Sequence, residues 1–166
     1  MTKSPQNRFG SVATIYRSDR LICIEALSGA GPLAYREDNS QRIYLEPAAT
    51  NEVLGQALLT AFGKSRFVDP SSEHEFYDPE RASRRFKEWQ QEFMVRYGYK
   101  SKQAALVSLD WCFARRAEGE ISIRPNKRDK AWSWRSLPPE KTVVIPATEA
   151  AATVGAALRL ALDRCE

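Results

Sequence analysis

The chain has one histidine, His74, and three cysteines, Cys23, Cys112 and Cys165, scattered over 166 residues. One histidine excludes a two-histidine zinc site and the histidine-rich metal spacings. The cysteines form no C-x-x-C pair. Their odd number and wide spacing point to reduced thiols in a cytoplasm rather than a disulfide framework. No apolar run reaches the roughly 18 residues of a membrane-spanning helix, and residues 1–8 lack the apolar stretch of a secretory signal. Neither G-x-x-x-x-G-K-[ST] nor G-x-G-x-x-G occurs. Gly29-Ala30-Gly31 runs into Pro32, so it opens no helix and reads as a turn. A nucleophilic site would have to recruit His74 from a polar loop, and paired carboxylates would need a rigid pocket that the polar run 69–80 does not suggest. The residues therefore nominate no catalytic group, no metal ligand and no cofactor.

What is present is ordinary for a folded domain: 43% hydrophobic and 28% charged residues. A single domain over 1–166 is expected. A chain of this size buries roughly 70% of its unfolded surface, enough for a core without disulfides or metal. The net charge of +4 permits nucleic-acid binding without arguing for it, because nucleic-acid binders concentrate their charge.

The most informative stretch is the last. Val143, Val144 and Ile145 are consecutive β-branched residues, which predicts a strand covered on both faces, ended by Pro146. Thr148 is the expected N-cap of a following helix, with Glu149 in its first turn. Val154, Ala157, Leu158, Ala161, Leu162 and Cys165 share one helical face. The phrase has an earlier echo: 42–47 leads into Val53 and Leu54, and Gly55, Ala57, Leu58 and Ala61 recur 100 residues later as Gly155, Ala157, Leu158 and Ala161. Polar strands also flank turns at Ser18-Asp19 and Glu118-Gly119. Two readings stand: a duplicated hairpin, loop, strand and helix, or a chance likeness between Ala/Leu-rich helices.

Between these phrases, 11–16 and 21–27 read as strands, broken at 28–32, with a polar connection over 36–41. A strand at 43–46 and a helix at about 51–62 follow, with Gly63 placed as a C′ glycine. Asp78-Pro79 reads as a helix start, an Asp N-cap before Pro at the first position, and the helix stops at Gly98. Phe86, Trp89, Phe93 and Tyr97 form an aromatic stripe on it, expected in the core. Residues 102–107 lean to a helical turn. A second hairpin pairs 111–116 with 120–124 and ends at Pro125. The order predicts an α+β fold, mostly antiparallel, of two hairpin-strand-helix units with the long striped helix between them.

Two surfaces are candidates for binding. In 66–80, Asp69, Glu73, Glu75, Asp78 and Glu80 face only Arg66, with Phe76 and Tyr77 inside the run, and 81–102 is basic. Tyr beside carboxylates suits an interface; a solvated loop before a solvated helix face fits the same pattern. The alternative is Lys127, Arg128, Lys130 and Arg135 around Trp132 and Trp134, a composition used for single-stranded nucleic acid and equally that of a basic loop pinned by buried tryptophans.

Three stretches resemble the immunity proteins of bacterial contact-dependent growth inhibition systems, the CdiI family: Arg96-Tyr-Gly-Tyr-Lys-Ser-Lys102, Gly119-Glu-Ile-Ser-Ile-Arg-Pro125, and Val143-Val-Ile-Pro146 running into Val154-Gly-Ala-Ala-Leu-Arg-Leu-Ala-Leu162. The likeness covers about 79–165 well and the N-terminal half loosely. It implies a cytoplasmic, non-enzymatic protein that binds and blocks the C-terminal toxin domain of a cognate delivery protein. Such toxins are often nucleases, many acting on transfer RNA. One departure stands out: inhibitors of nucleases tend to be acidic, and this chain is net basic, so either the toxin is not strongly basic or a local acidic patch meets it, for which the run 66–80 is the candidate.

Overall fold

The computed structural model describes residues 9–37, 41–106, 109–130 and 133–166. In chain order its elements are β1 (Ser11–Arg17), β2 (Ile22–Ala30), β3 (Leu33–Arg36), β4 (Ile43–Leu45), α1 (Asn51–Lys64), α2 (Pro79–Tyr97), α3 (Lys102–Leu106), β5 (Asp110–Ala117), β6 (Glu120–Lys130), β7 (Ser133–Ser136), β8 (Val143–Pro146) and α4 (Ala151–Asp163). The fold is α+β. Eight strands form an antiparallel sheet in the order β3-β2-β1-β5-β6-β7, with β4 on β2 and β8 on β6. Alternation sorts the side chains: Ala13 and Ile15 of β1 meet one core, while Tyr16 meets another.

The sheet repeats itself. Ile15 stands opposite Ile24 in the first hairpin, and 99 residues on, Ala114 stands opposite Ile123. Cys23 pairs with Tyr44, and Ser122 with Val144. Ser28 pairs with Tyr35, and Lys127 with Arg135. The halves join at β1–β5, where Thr14 faces Phe113, its own equivalent 99 residues on, so a pseudo-twofold axis passes through that pair.

The helices obey the same relation. Buried positions 54, 55, 57, 58, 61 and 62 of α1 return in α4 as 154, 155, 157, 158, 161 and 162. A Cβ on Gly55 would lie 1.7 Å from the Ala151 carbonyl oxygen, and one on Gly155 would lie 1.7 Å from that of Asn51. The backbones touch where only hydrogen fits, so the 100-residue echo in the sequence is the two sides of one helix crossing. Both helices pack on the core face of the sheet, against Ile22, Ile24, Ile121, Ile123 and Val143.

The insert between the halves is α2 with its flanking loops. Asp78 caps α2, its side chain accepting from the Glu80 N–H, and Gly98 ends the helix at φ 68°. Trp89 and Phe93 are fully buried. With Phe86 and Tyr97 they pack on Tyr16, Leu21, Cys23 and Tyr44, in one cluster with Trp111 and Trp134 at the edge of the second half, so the aromatic stripe is core, on the outer face of the sheet.

Several local expectations give way to the sheet. The 28–32 stretch does not break β2, which runs to Ala30 before a turn at Gly31, φ 57°. Gly29 is needed there because Leu33 of β3 crosses so closely that a Cβ would lie 1.9 Å from its carbonyl oxygen. Pro125 does not end β6. Its carbonyl accepts from the Leu137 N–H, so its ring nitrogen points to the same edge, in the gap between the β8 ladder, which stops at Ile123, and the β7 ladder, which starts at Asn126. The missing donor therefore costs no β5 bond. Residues 126–130 are the end of β6, and β7 starts at Ser133, so the described part of the basic segment is strand rather than loop. Thr148 is not the N-cap: α4 begins at Ala151, and Ala150, the equivalent of the capping Thr50, gives no side-chain bond. Gly63 lies inside α1, which ends at Lys64 with Ser65 as its C-cap, and the Ser65 hydroxyl donates to Leu27 O at 2.6 Å and fixes the exit against β2. β8 is covered on one face only, with Val144 53% exposed. Val107 and Trp132 lie outside the described residues.

Candidate functional site

Residues 66–84 enclose a groove of about 810 Å³. The loop that forms it is fastened to the sheet by backbone: Gly29 N–H donates to Arg66 O at 3.1 Å, and Val68 N–H donates to Gly29 O at 2.9 Å. Asp69 then turns the chain. Its carboxylate accepts from the Ser71 N–H at 2.9 Å and hydroxyl at 2.7 Å, bonds to Ser71 that hold its pKa below the usual carboxylate value. The Tyr77 hydroxyl donates to Val68 O, and burial, with Glu73 nearby, pushes its pKa up.

Phe76 forms the apolar end of the groove and is itself buried. It packs edge-on against Tyr35 and Tyr77 at 6.3 and 5.3 Å. The Arg81 guanidinium lies 4.5 Å above its ring and donates to Arg36 O at 3.1 Å, which ties the first turn of α2 to β3. Opposite, Arg66 pairs with Glu37 at 2.5 Å and Glu73 at 3.2 Å.

These pairs leave an imbalance. The groove is lined by five carboxylates, Glu37, Glu73, Glu75, Asp78 and Glu80, against three guanidinium groups, Arg66, Arg81 and Arg84. Glu37 and Glu73 are occupied by Arg66, whereas Glu75 and Glu80 make no ion pair among the described residues. His74 also lines the groove, but its imidazole makes no hydrogen bond among the described residues, so no carboxylate orients it as a base. The arrangement suits reception of a lysine or arginine side chain: a rigid aromatic end, fixed walls and surplus negative charge.

Of the acidic run expected to bind, the fold brings Glu73, Glu75, Phe76, Asp78 and Glu80 to one groove. Asp69 and Tyr77 brace the loop from outside the lining, and Phe76 offers little exposed area. Glu37 was missed because only tertiary pairing with Arg66 brings it there. Arg81 and Arg84 could have been placed from Asp78-Pro79, since an N-cap fixes where the first turns point.

The basic segment is less available. Lys127 pairs with Glu166 at 3.3 Å, and Arg128 N–H donates to Glu166 O at 2.7 Å. Lys130 is exposed opposite Ser133. Trp134 packs on Trp111 and Tyr16 at 5.7 and 6.2 Å, which makes it part of the core and not an open stacking platform.

Comparison with known proteins gives a consistent picture. The family model for the CDI immunity protein, CdiI, matches residues 11–165. The immunity protein CdiI-YPIII of Yersinia pseudotuberculosis serotype O:3 is 27% identical over 172 residues, covering 93% of this chain and 94% of its own length. Among solved structures, a chain of the CdiA-CT/CdiI toxin and immunity complex from Yersinia pseudotuberculosis superposes with a TM-score of 0.89 at 26% identity, covering 94% of this chain and 97% of that one. A protein of unknown function from Neisseria meningitidis, NMB0488, has the same fold, with a TM-score of 0.89 at 24% identity over the whole of both chains.

Proposed function

The chain belongs to the CDI immunity protein family, and from that premise we propose that it binds the C-terminal toxin domain of its cognate contact-dependent growth inhibition effector and blocks it, catalysing nothing itself. The observation that carries this reading is its likeness, over 94% of its length, to a chain of a toxin and immunity complex. The protein acts in the cytoplasm of the cell that makes the toxin. The toxin is a nuclease, of a kind that acts on transfer RNA, and its phosphate-binding surface is cationic. The overall charge of +4 would repel such a surface, so contact is made through the groove at 66–84, where carboxylates outnumber guanidinium groups.

Co-expression tests the role. Cells making the toxin domain survive when this protein is present and die without it; death at the same rate in both contradicts the proposal. The groove is tested by Glu75→Lys with Glu80→Lys, which weakens toxin binding by about tenfold or more. Asp78 is left intact because its side chain caps α2, and losing a cap costs about 1 kcal/mol of stability by itself.

A further inference from the structure

The pseudo-twofold relation makes one half of the sheet a template for the other. On the outer face of the first half, Tyr16, Cys23 and Tyr44 form one cross-strand row, beside the pair Thr14 and Glu25. α2 covers them: Tyr16 lies 4.5 Å from the Trp89 ring, the Tyr44 hydroxyl donates to Glu92 at 2.7 Å, and Arg42 bridges Glu25 and Glu92.

In the second half the equivalent row is Arg115, Ser122 and Val144, beside the pair Phe113 and Arg124. The aromatic cluster under α2 takes in Trp111 and Trp134 of the second half but none of the residues of these two rows. The helix packed on β5, β6 and β8 is α4, and its buried side chains meet Ile121, Ile123 and Val143, on the opposite face. Val144 is 53% exposed. Arg124 is exposed; its guanidinium lies 5.3 Å over the Phe113 ring, and it makes no ion pair among the described residues. Charge is inverted at the matched position: a buried Glu25 in one half, an exposed Arg124 in the other. Neither row carries a carboxylate.

We propose that the rows Arg115–Ser122–Val144 and Phe113–Arg124 form a second docking surface, taken by an acidic segment of the same toxin domain. A carboxylate of that segment meets Arg124, at the position matched to the paired Glu25, and its apolar side chains cover Val144 and the part of Phe113 that Phe9, Val12 and Leu27 leave open, as the aromatic stripe of α2 covers Tyr16 in the first half. The proposal rests on the toxin-binding reading above. It adds that the toxin is gripped at two places of opposite sign.

The test is calorimetric titration of the cognate toxin domain into wild-type protein, Arg124→Glu with Val144→Asp, and the groove variant Glu75→Lys with Glu80→Lys. Both substituted side chains on the sheet are exposed, so the melting temperature stays near that of the wild type. Affinity of the sheet variant falls by about tenfold or more, while Arg124→Lys alone keeps most of it. Affinity within about twofold of wild type in the sheet variant, beside a clear loss in the groove variant, overturns the second surface and leaves the toxin-binding reading standing. Wild-type protein that binds no toxin overturns both. Oligothymidylate binding at about 50 mM salt that Arg124→Glu abolishes would make this a nucleic-acid face. A wild-type dimer that the sheet variant splits, seen by sedimentation, would make it a self-interface. Either result overturns the proposal.

Discussion

The two halves of the sheet share a register and differ in what lies on their outer faces. In the first, Glu25 is 1% exposed, 2.6 Å from Arg36 Nε and 3.1 Å from Arg42 Nε, and the Arg36 guanidinium lies 5.2 Å over the Trp89 ring. In the second, the matched Arg124 faces solvent. The comparison separates what the repeated backbone demands from what each half adds. The helix crossing, the hairpin register and the short outer strands are common to both and hold the molecule together. The inserted α2 and the exposed Arg124 are each particular to one half, and these are the parts that can serve recognition.

The sharpest way to break the comparison is to empty the covered face. Trp89→Ala removes a fully buried side chain with no equivalent in the second half, and costs about 4 kcal/mol in chemical denaturation. Next comes the matched pair. Glu25→Gln leaves two arginines facing a neutral group under α2 and costs roughly 3 kcal/mol or more, whereas Arg124→Gln stays within about 0.5 kcal/mol. Similar losses at the two positions would show that the second face is not open. The crossing predicts the opposite, a symmetric result: Gly55→Ala and Gly155→Ala each cost about 3 kcal/mol, at the upper end for overpacking, and the two losses match within about 0.5 kcal/mol. One Gly→Ala change tolerated while the other is not would break the pseudo-twofold account.

The smallest effect is chemical. Burial pushes the Cys23 thiol up to about 12, while the hydrogen bond with Cys112, 3.6 Å away, draws the Cys165 thiol down and burial raises that of Cys112. Thiolate is the reactive form. Near pH 8 a thiol reagent should therefore modify Cys165 first and reach Cys23 only on unfolding, as peptide mapping would show.

Much of this was legible along the chain because its signals are local. Asp78-Pro79 and Gly98 bracket α2 by cap chemistry. Glu118-Gly119, at φ 55° and 82°, makes the tight two-residue turn its flanking strands need. Gly55 and Gly155 echo each other because they touch the same crossing. What was not legible depends on register. β3 and β7 are four-residue strands too short for an alternation to emerge. A run of Val143, Val144 and Ile145 cannot say which face is covered. Thr148 looked like a cap because nothing local shows that the β8 connection delays α4 to Ala151. At the groove, the acidic run was visible as composition, but Glu37 joins it only through Arg66. The outer face around Arg124 appears only once the two halves are matched strand by strand.

The most direct check on the central claim, that this protein works by seating a toxin domain in its groove, is hydrogen–deuterium exchange with and without the cognate toxin domain. The account predicts slower exchange in peptides covering 66–84 when the toxin is added, with the β1–β5 seam unchanged. Exchange in 66–84 that does not alter while the toxin is held, or a toxin that is not held at all, would contradict it.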